Sequence, residues 1–125
     1  MESVSLYPVK GLPLVKQGDN LGELILRSLD QTIGVADGDI VVIAQKIVSK
    51  AEGAVVDLST ITASPRAQEI ASQTGRDPRL CQIFLNEAKE VIAINGRMVI
   101  TRHRLGFVGS SSGVDRSNIA PHEVG

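Results

Sequence analysis

The stretch Asp37-Gly38-Asp39-Ile40-Val41-Val42-Ile43-Ala44-Gln45-Lys46 decides how the chain is read. Its Asp37-Gly38-Asp39 turn opens onto a β-rich apolar run with no polar position inside it. A strand that alternates apolar and polar side chains needs cover on one face only. An unbroken run needs cover on both, as a central strand of a layered sheet has. Residues 40–44 are therefore expected to form a central strand. The chain is expected to be α/β (α+β), a mixed β-sheet with covering helices.

Toward the N-terminus, residues 4–9 alternate until Gly11 and Pro13 interrupt them, which predicts a strand and then a loop. Leu21, Leu24, Ile25 and Leu29 recur on one 3.6-residue face, so a helix is expected over residues 20–31 with Asp19 as its cap. Toward the C-terminus, a weaker strand over residues 54–58 follows the Glu52-Gly53 turn. Ser64-Pro65 and Asp77-Pro78 each place a side-chain acceptor ahead of a proline at the first helical position. The first of these helices closes at Gly75, near Thr74, and the second runs to about Lys89. Val91-Ile92-Ala93-Ile94, Asn95-Gly96 and Met98-Val99-Ile100-Thr101 then read as a hairpin with a type I′ turn, positive φ being required at both central residues. Beyond Phe107 the pattern dissolves into a Gly/Ser-rich stretch. With no repeat, charge block or internal boundary, residues 1–125 read as a single domain.

The balance of 13 basic and 14 acidic residues, net charge −1, gives no preference for polyanions. Only Tyr7, Phe84 and Phe107 are aromatic, too few for base-stacking platforms, so nucleic acid is not an expected partner. The run at residues 40–44 falls far short of the roughly 20 residues that span a bilayer, and MESVSLYPVK lacks a signal pattern. No membrane association and a cytoplasmic location are expected. Cys81, between Leu80 and the helix-spaced Phe84 and Leu85, reads as a buried thiol with no basic residue placed to lower its pKa.

Three segments could carry chemistry. Lys46 and Lys50 come directly off the apolar run, at the end where open α/β sheets bind ligands, and two cations there suit a polyphosphate. Solvated loop lysines are the plainer alternative. In Val9-Lys10-Gly11-Leu12-Pro13, Gly11 would let backbone N–H groups approach an anion, although the loop has neither Walker nor GxGxxG spacing and also reads as an ordinary turn. The stretch from Gly109 to Asn118 brings the hard oxygens of Asp115, Ser117 and Asn118, which suit Mg²⁺ or Mn²⁺. One carboxylate is not a complete site, and a flexible loop is the alternative reading.

The same stretch matches G-x-S-x-G around Ser111, with His103, His122 and Asp115 as conceivable partners. That motif requires a helix directly after the serine, and Asp115-Arg116-Ser117-Asn118 followed by Pro121 starts one poorly. A serine hydrolase acting through Ser111 is accordingly the third reading. His103, between Arg102 and Arg104, is expected to be an exposed hairpin residue, and His103, His122 and Cys81 lack zinc spacing.

Taken together, YPVKGLPLVKQGDNL, DGDIVVIAQKIVSKAEGAVVDL, TGRDPRLCQIFLNEAKEVI and GFVGSSSGVDRSNIAP resemble, in order, the coenzyme F420-0:L-glutamate ligase family. The most specific pieces are Ser49-Lys50-Ala51-Glu52-Gly53 and Gly113-Val114-Asp115-Arg116-Ser117-Asn118. The resemblance implies a GTP-dependent ligase that adds L-glutamate to coenzyme F420-0 through an acyl phosphate, releasing GDP and phosphate with the help of Mg²⁺ or Mn²⁺. It implies that Lys10, Gly11, Leu12, Pro13, Gln45, Lys46, Lys50 and Asn118 contact the nucleotide, that Asp115 is a metal ligand, and that the complete enzyme is a homodimer. It singles out no catalytic residue. Ser110-Ser111-Ser112 departs from the Ala-Asn-Ala common in the family. Family members also continue into a second half, so this chain resembles the N-terminal portion of a larger fold and is expected to be inactive alone. A noncatalytic nucleotide-binding module, or one half of a split enzyme, is the alternative.

Overall fold

The computed structural model describes residues 2–116 and 123–124, and the chain divides into two compact units, Met1–Ala54 and Val55–Gly125. In the first unit, α1 (Leu21–Asp30) buries Ile25, Ser28 and Leu29, the face its periodicity marks. Its cap is Asn20, whose Oδ1 accepts the Glu23 N–H at 3.3 Å. Asp19, the expected cap, instead accepts the Lys16 N–H at 2.7 Å and closes the preceding turn. Only the residue directly ahead of the first helical position reaches the third N–H of the helix. The second helix, α2 (Gln45–Ala51), begins where the apolar run ends.

That run corrects the expectation of a central strand. Residues 40–44 join no ladder among the described residues, and Ile40 and Val42 are 86% and 87% exposed while Val41 and Ile43 are 43% exposed. Residues 4–9 are likewise unpaired, with Val4 and Leu6 near 90% exposure. An apolar run records the cover a segment needs; strand status also takes a partner for its backbone.

The second unit follows the local signals closely. It comprises β1 (Val56–Asp57), a 3-10 turn at Leu58–Thr60, α3 (Pro65–Thr74), α4 (Pro78–Glu87), β2 (Ala88–Asn95), β3 (Met98–His103) and β4 (Val108–Ser110), then a 3-10 turn at Ser111–Gly113 and β5 (Glu123–Val124). The class is α/β as expected, and both sheets among the described residues are antiparallel, β2-β3-β4 and β1-β5. Ser64 Oγ caps α3 by accepting the Ala67 N–H at 3.3 Å, and Gly75 ends it in the left-handed region at φ 65°. Asp77 caps α4 through the Arg79 N–H. The Arg79 guanidinium, 2.7 Å from the same carboxylate, holds its pKa down to about 2.

Helix α4 stops at Glu87 rather than near Lys89 because Ala88 is already extended and pairs with His103. In the hairpin, Asn95 pairs with Met98, which leaves Gly96 and Arg97 as the two-residue turn. Positive φ is confined to Gly96, at 56°. That is the pattern of a type II′ turn, shifted by one residue from the type I′ turn expected at Asn95-Gly96. The unit's core lies where α3 and α4 meet the sheet: Ala67, Ile70, Ala71, Cys81, Phe84 and Val99 are buried together. Cys81 is buried as expected and burial pushes its pKa up; contrary to expectation a basic residue, Arg76, does act to lower it, as does a hydrogen bond with Thr74, because the turn between α3 and α4 brings Arg76 near the thiol.

Candidate functional site

The Gly/Ser stretch after β4 is held by the core of the second unit. Ser111 and Ser112 both sit at φ 53°, a conformation that residues with a Cβ adopt at a cost of about 1–3 kcal/mol unless the surroundings enforce it. Here they do. The Ser112 N–H donates to Thr101 Oγ1 at 2.8 Å, and the Ser112 hydroxyl donates to the Phe84 carbonyl at 2.9 Å while lying 2.9 Å from Thr101 Oγ1. Thr101 is fully buried on β3, and its own hydroxyl reaches the Gly109 carbonyl. Helix, sheet and loop thus share one buried hydroxyl pair, and each such bond costs about 1–3 kcal/mol to leave unmade. Two residues on, Val114 packs against both apolar clusters and delivers the half-buried Asp115.

This architecture bears on the nucleophile elbow. A 3-10 turn and an extended Val114 follow Ser111 in place of a helix, and Ser111 is 5% exposed. The described geometry therefore gives the serine hydrolase reading no support. His103 is buried, contrary to the expected exposed position. Strand β3 turns Val99, Thr101 and His103 inward, so strand parity, rather than the flanking arginines, sets its environment. Its Nδ1 accepts the Leu105 N–H at 3.0 Å, leaving Nε2 to donate to Glu87 Oε2 at 3.1 Å, and its ring stacks on Phe107 at 4.4 Å. Arg104 shares the same Glu87 oxygen. His103 is fully engaged in holding the β3–β4 turn.

Apart from Asn118, the remaining predicted nucleotide contacts lie in the first unit. Lys10, Gly11 and Pro13 are exposed and Leu12 is half-buried, with Gly11 at φ 80°, a value that requires glycine there. Gln45, Lys46 and Lys50 stand on α2, not on a loop leaving a strand. Lys46 and Lys50, four residues apart and half-buried, share one helix face, and Gln45 Nε2 is tied to Ser49 Oγ at 2.8 Å. Asn118 and His122 lie outside the described residues. Among the described residues no three His, Cys, Asp or Glu side chains converge as a metal site. Asp115 by itself does not complete the shell that Mg²⁺ or Mn²⁺ requires.

A glycine loop, a helix-borne lysine pair and an anchored carboxylate loop are thus carried on an α/β chain. Its sequence matches the family model described as F420-0:Gamma-glutamyl ligase over residues 11–124, and the chain belongs to that family. It is 43% identical over 117 residues to the coenzyme F420:L-glutamate ligase of Methanothermobacter thermautotrophicus, covering 93% of this chain and 46% of that protein. Against the enzyme of the same name from Methanocaldococcus jannaschii it is 44% identical over 110 residues, covering 86% and 42%. Against that of Methanopyrus kandleri it is 38% identical over 124 residues, covering 99% and 48%. The chain spans just under half the length of these relatives. Among the described residues, no helix is long and apolar enough to cross a membrane.

Proposed function

We propose that the chain supplies a nucleotide-binding portion of a GTP-dependent ligase that joins L-glutamate to coenzyme F420-0. The observation that carries this reading is the family match over residues 11–124, which contains every proposed site position but Lys10. In the proposed reaction, an acceptor carboxylate oxygen attacks the γ-phosphorus of GTP and GDP departs. The glutamate amine then attacks the acyl phosphate, inorganic phosphate leaves, the amine loses a proton and an amide remains. Lys46 and Lys50 would neutralise phosphate charge as point cations, and the Lys10-Gly11-Leu12-Pro13 loop and Gln45 would seat the nucleotide. Asn118 is proposed as a further nucleotide contact. Asp115 is proposed as one ligand of a divalent ion that supplies charge neutralisation when bound, its other ligands lying outside the described residues.

Nucleotide binding by the chain alone tests the lysine assignment. Titration calorimetry is expected to show weak GTP binding that Lys46→Ala with Lys50→Ala weakens at least about tenfold, the effect of losing roughly 1.4 kcal/mol. Lys16→Ala, an exposed control, should leave the affinity unchanged. Equal affinity for the wild type and the double variant would remove the lysines from the site.

A further inference from the structure

The turn between β3 and β4 closes around His103, a buried ring whose two nitrogens have different partners. Nδ1 accepts the Leu105 N–H at 3.0 Å, so the closed turn requires that nitrogen to carry no proton. The proton of the neutral ring therefore sits on Nε2, which donates to Glu87 Oε2 at 3.1 Å. Phe107 stacks on the ring at 4.4 Å, and the backbone ties it there: the His103 N–H donates to the Phe107 carbonyl and the Gly106 N–H to the His103 carbonyl, each at 2.8 Å. On the helix side, the Arg104 N–H donates to the Glu87 carbonyl at 2.9 Å. The charged groups on this side are Glu87 from the end of α4 and Arg104 from the turn, which meet at the same Glu87 oxygen. Arg102 and Glu90 pair with each other from the alternate positions of β3 and β2, Lys89 is exposed, and β4 brings no titratable side chain.

We propose that His103 is a proton-operated latch on the β3–β4 turn, closed while the ring is neutral and opened at Leu105 when the ring is protonated. A proton taken from solvent at Nδ1 converts the acceptor into a donor, and two N–H groups then face each other. One of them must yield. The ring is held from two directions that favour positive charge: Glu87 Oε2 gains a charged partner, and the Phe107 face attracts a cation. Leu105 is 80% exposed, so its N–H exchanges the lost bond for water, and the backbone there gives way while the ring stays. The far end of β4 is secured separately, because the Ser112 N–H and hydroxyl are bonded to Thr101 and to the Phe84 carbonyl, groups that do not titrate. Acid thus frees the turn end of β4 while the segment leading to Asp115 keeps its anchor. None of this depends on which nucleotide or metal the ligase uses.

Nuclear magnetic resonance of the isotopically labelled chain tests the latch. With the ring neutral, long-range proton–nitrogen spectra should show His103 protonated on Nε2 and bare on Nδ1. As the pH is lowered through the titration of that ring, read from its own carbon-bound protons, the protection factor of the Leu105 amide is expected to fall at least about tenfold in step with it. The Ser112 amide should keep its protection over the same range. His103→Gln offers an uncharged acceptor and donor in place of the ring, and Leu105 should then stay protected throughout; should that variant not fold, the wild-type tautomer and the Leu105 profile decide the matter by themselves. A proton on Nδ1 of the neutral ring would overturn the proposal, as would a Leu105 amide indifferent to the state of the ring. Equal loss of protection at Ser112 would overturn it in favour of general acid unfolding, and the same fall at Leu105 in a folded His103→Gln would show that the ring is not the latch.

Discussion

Replacing Phe84 by alanine is expected to unfold the second unit. Phe84 is 2% exposed and sits among Ile70, Ala71, Cys81 and Val99, where α3, α4 and the sheet converge. Its ring also lies under the Arg76 guanidinium at 5.3 Å. Truncating a buried phenylalanine costs about 3–5 kcal/mol through lost transfer energy and the cavity left behind. Small domains hold about 5–15 kcal/mol in total, with units of this size toward the lower end, so the loss removes most of the stability. Urea titration followed by far-ultraviolet circular dichroism measures it. Phe107→Ala is the control, because that ring is half exposed and contributes mainly its stacking on His103. A Phe84→Ala midpoint equal to that of Phe107→Ala would show that the core does not turn on this residue.

The second large effect concerns Asp115 in the assembled ligase. With one carboxylate contributed by the loop, Asp115→Ala is expected to lower kcat by about 10²–10³-fold, the scale on which losing one charge-stabilising group acts. Folding should be spared. The Ser112–Thr101–Phe84 bonds that fix the loop do not involve Asp115. Steady-state kinetics at rising Mg²⁺ and Mn²⁺ concentrations should show the metal dependence displaced to higher concentration. A rate within threefold of wild type, with unchanged metal dependence, would remove Asp115 from the metal site.

The parts of the fold legible in the sequence were those set by near neighbours. Ser64-Pro65, Asp77-Pro78 and Gly75 specify helix ends by hydrogen bonds spanning three or four residues, and they sit where expected. Asn95-Gly96 marked the hairpin, but the pairing of Asn95 with Met98 moved the turn by one residue. Strand β4 escaped notice because Val108, Gly109 and Ser110 carry little strand signal and become a strand only by pairing with β3. His103 was misjudged from its charged neighbours when the alternation of Val99, Thr101 and His103 already marked it as inward. The apolar run at residues 40–44 failed for a nonlocal reason: composition records a need for cover, but a strand also needs a pairing partner, and none engages the run among the described residues. For the candidate site, the residue types of Lys46 and Lys50 raised polyphosphate binding, and that of Asp115 metal binding, beside the plainer readings of solvated lysines and a flexible loop. Their setting on a helix and on a core-anchored loop was not legible, because it depends on where the run ends and on a buried Ser112–Thr101 pair distant in sequence.

The most direct measurement is turnover with GTP, L-glutamate and coenzyme F420-0, following GDP release and glutamylated product together. The chain alone should give neither, since transition-state stabilisation needs several groups acting as a unit. The chain assembled with the unmatched half of a relative should give both in equal amounts. Turnover by the chain alone, or an assembled complex that produces no amide product from GTP, would contradict the account.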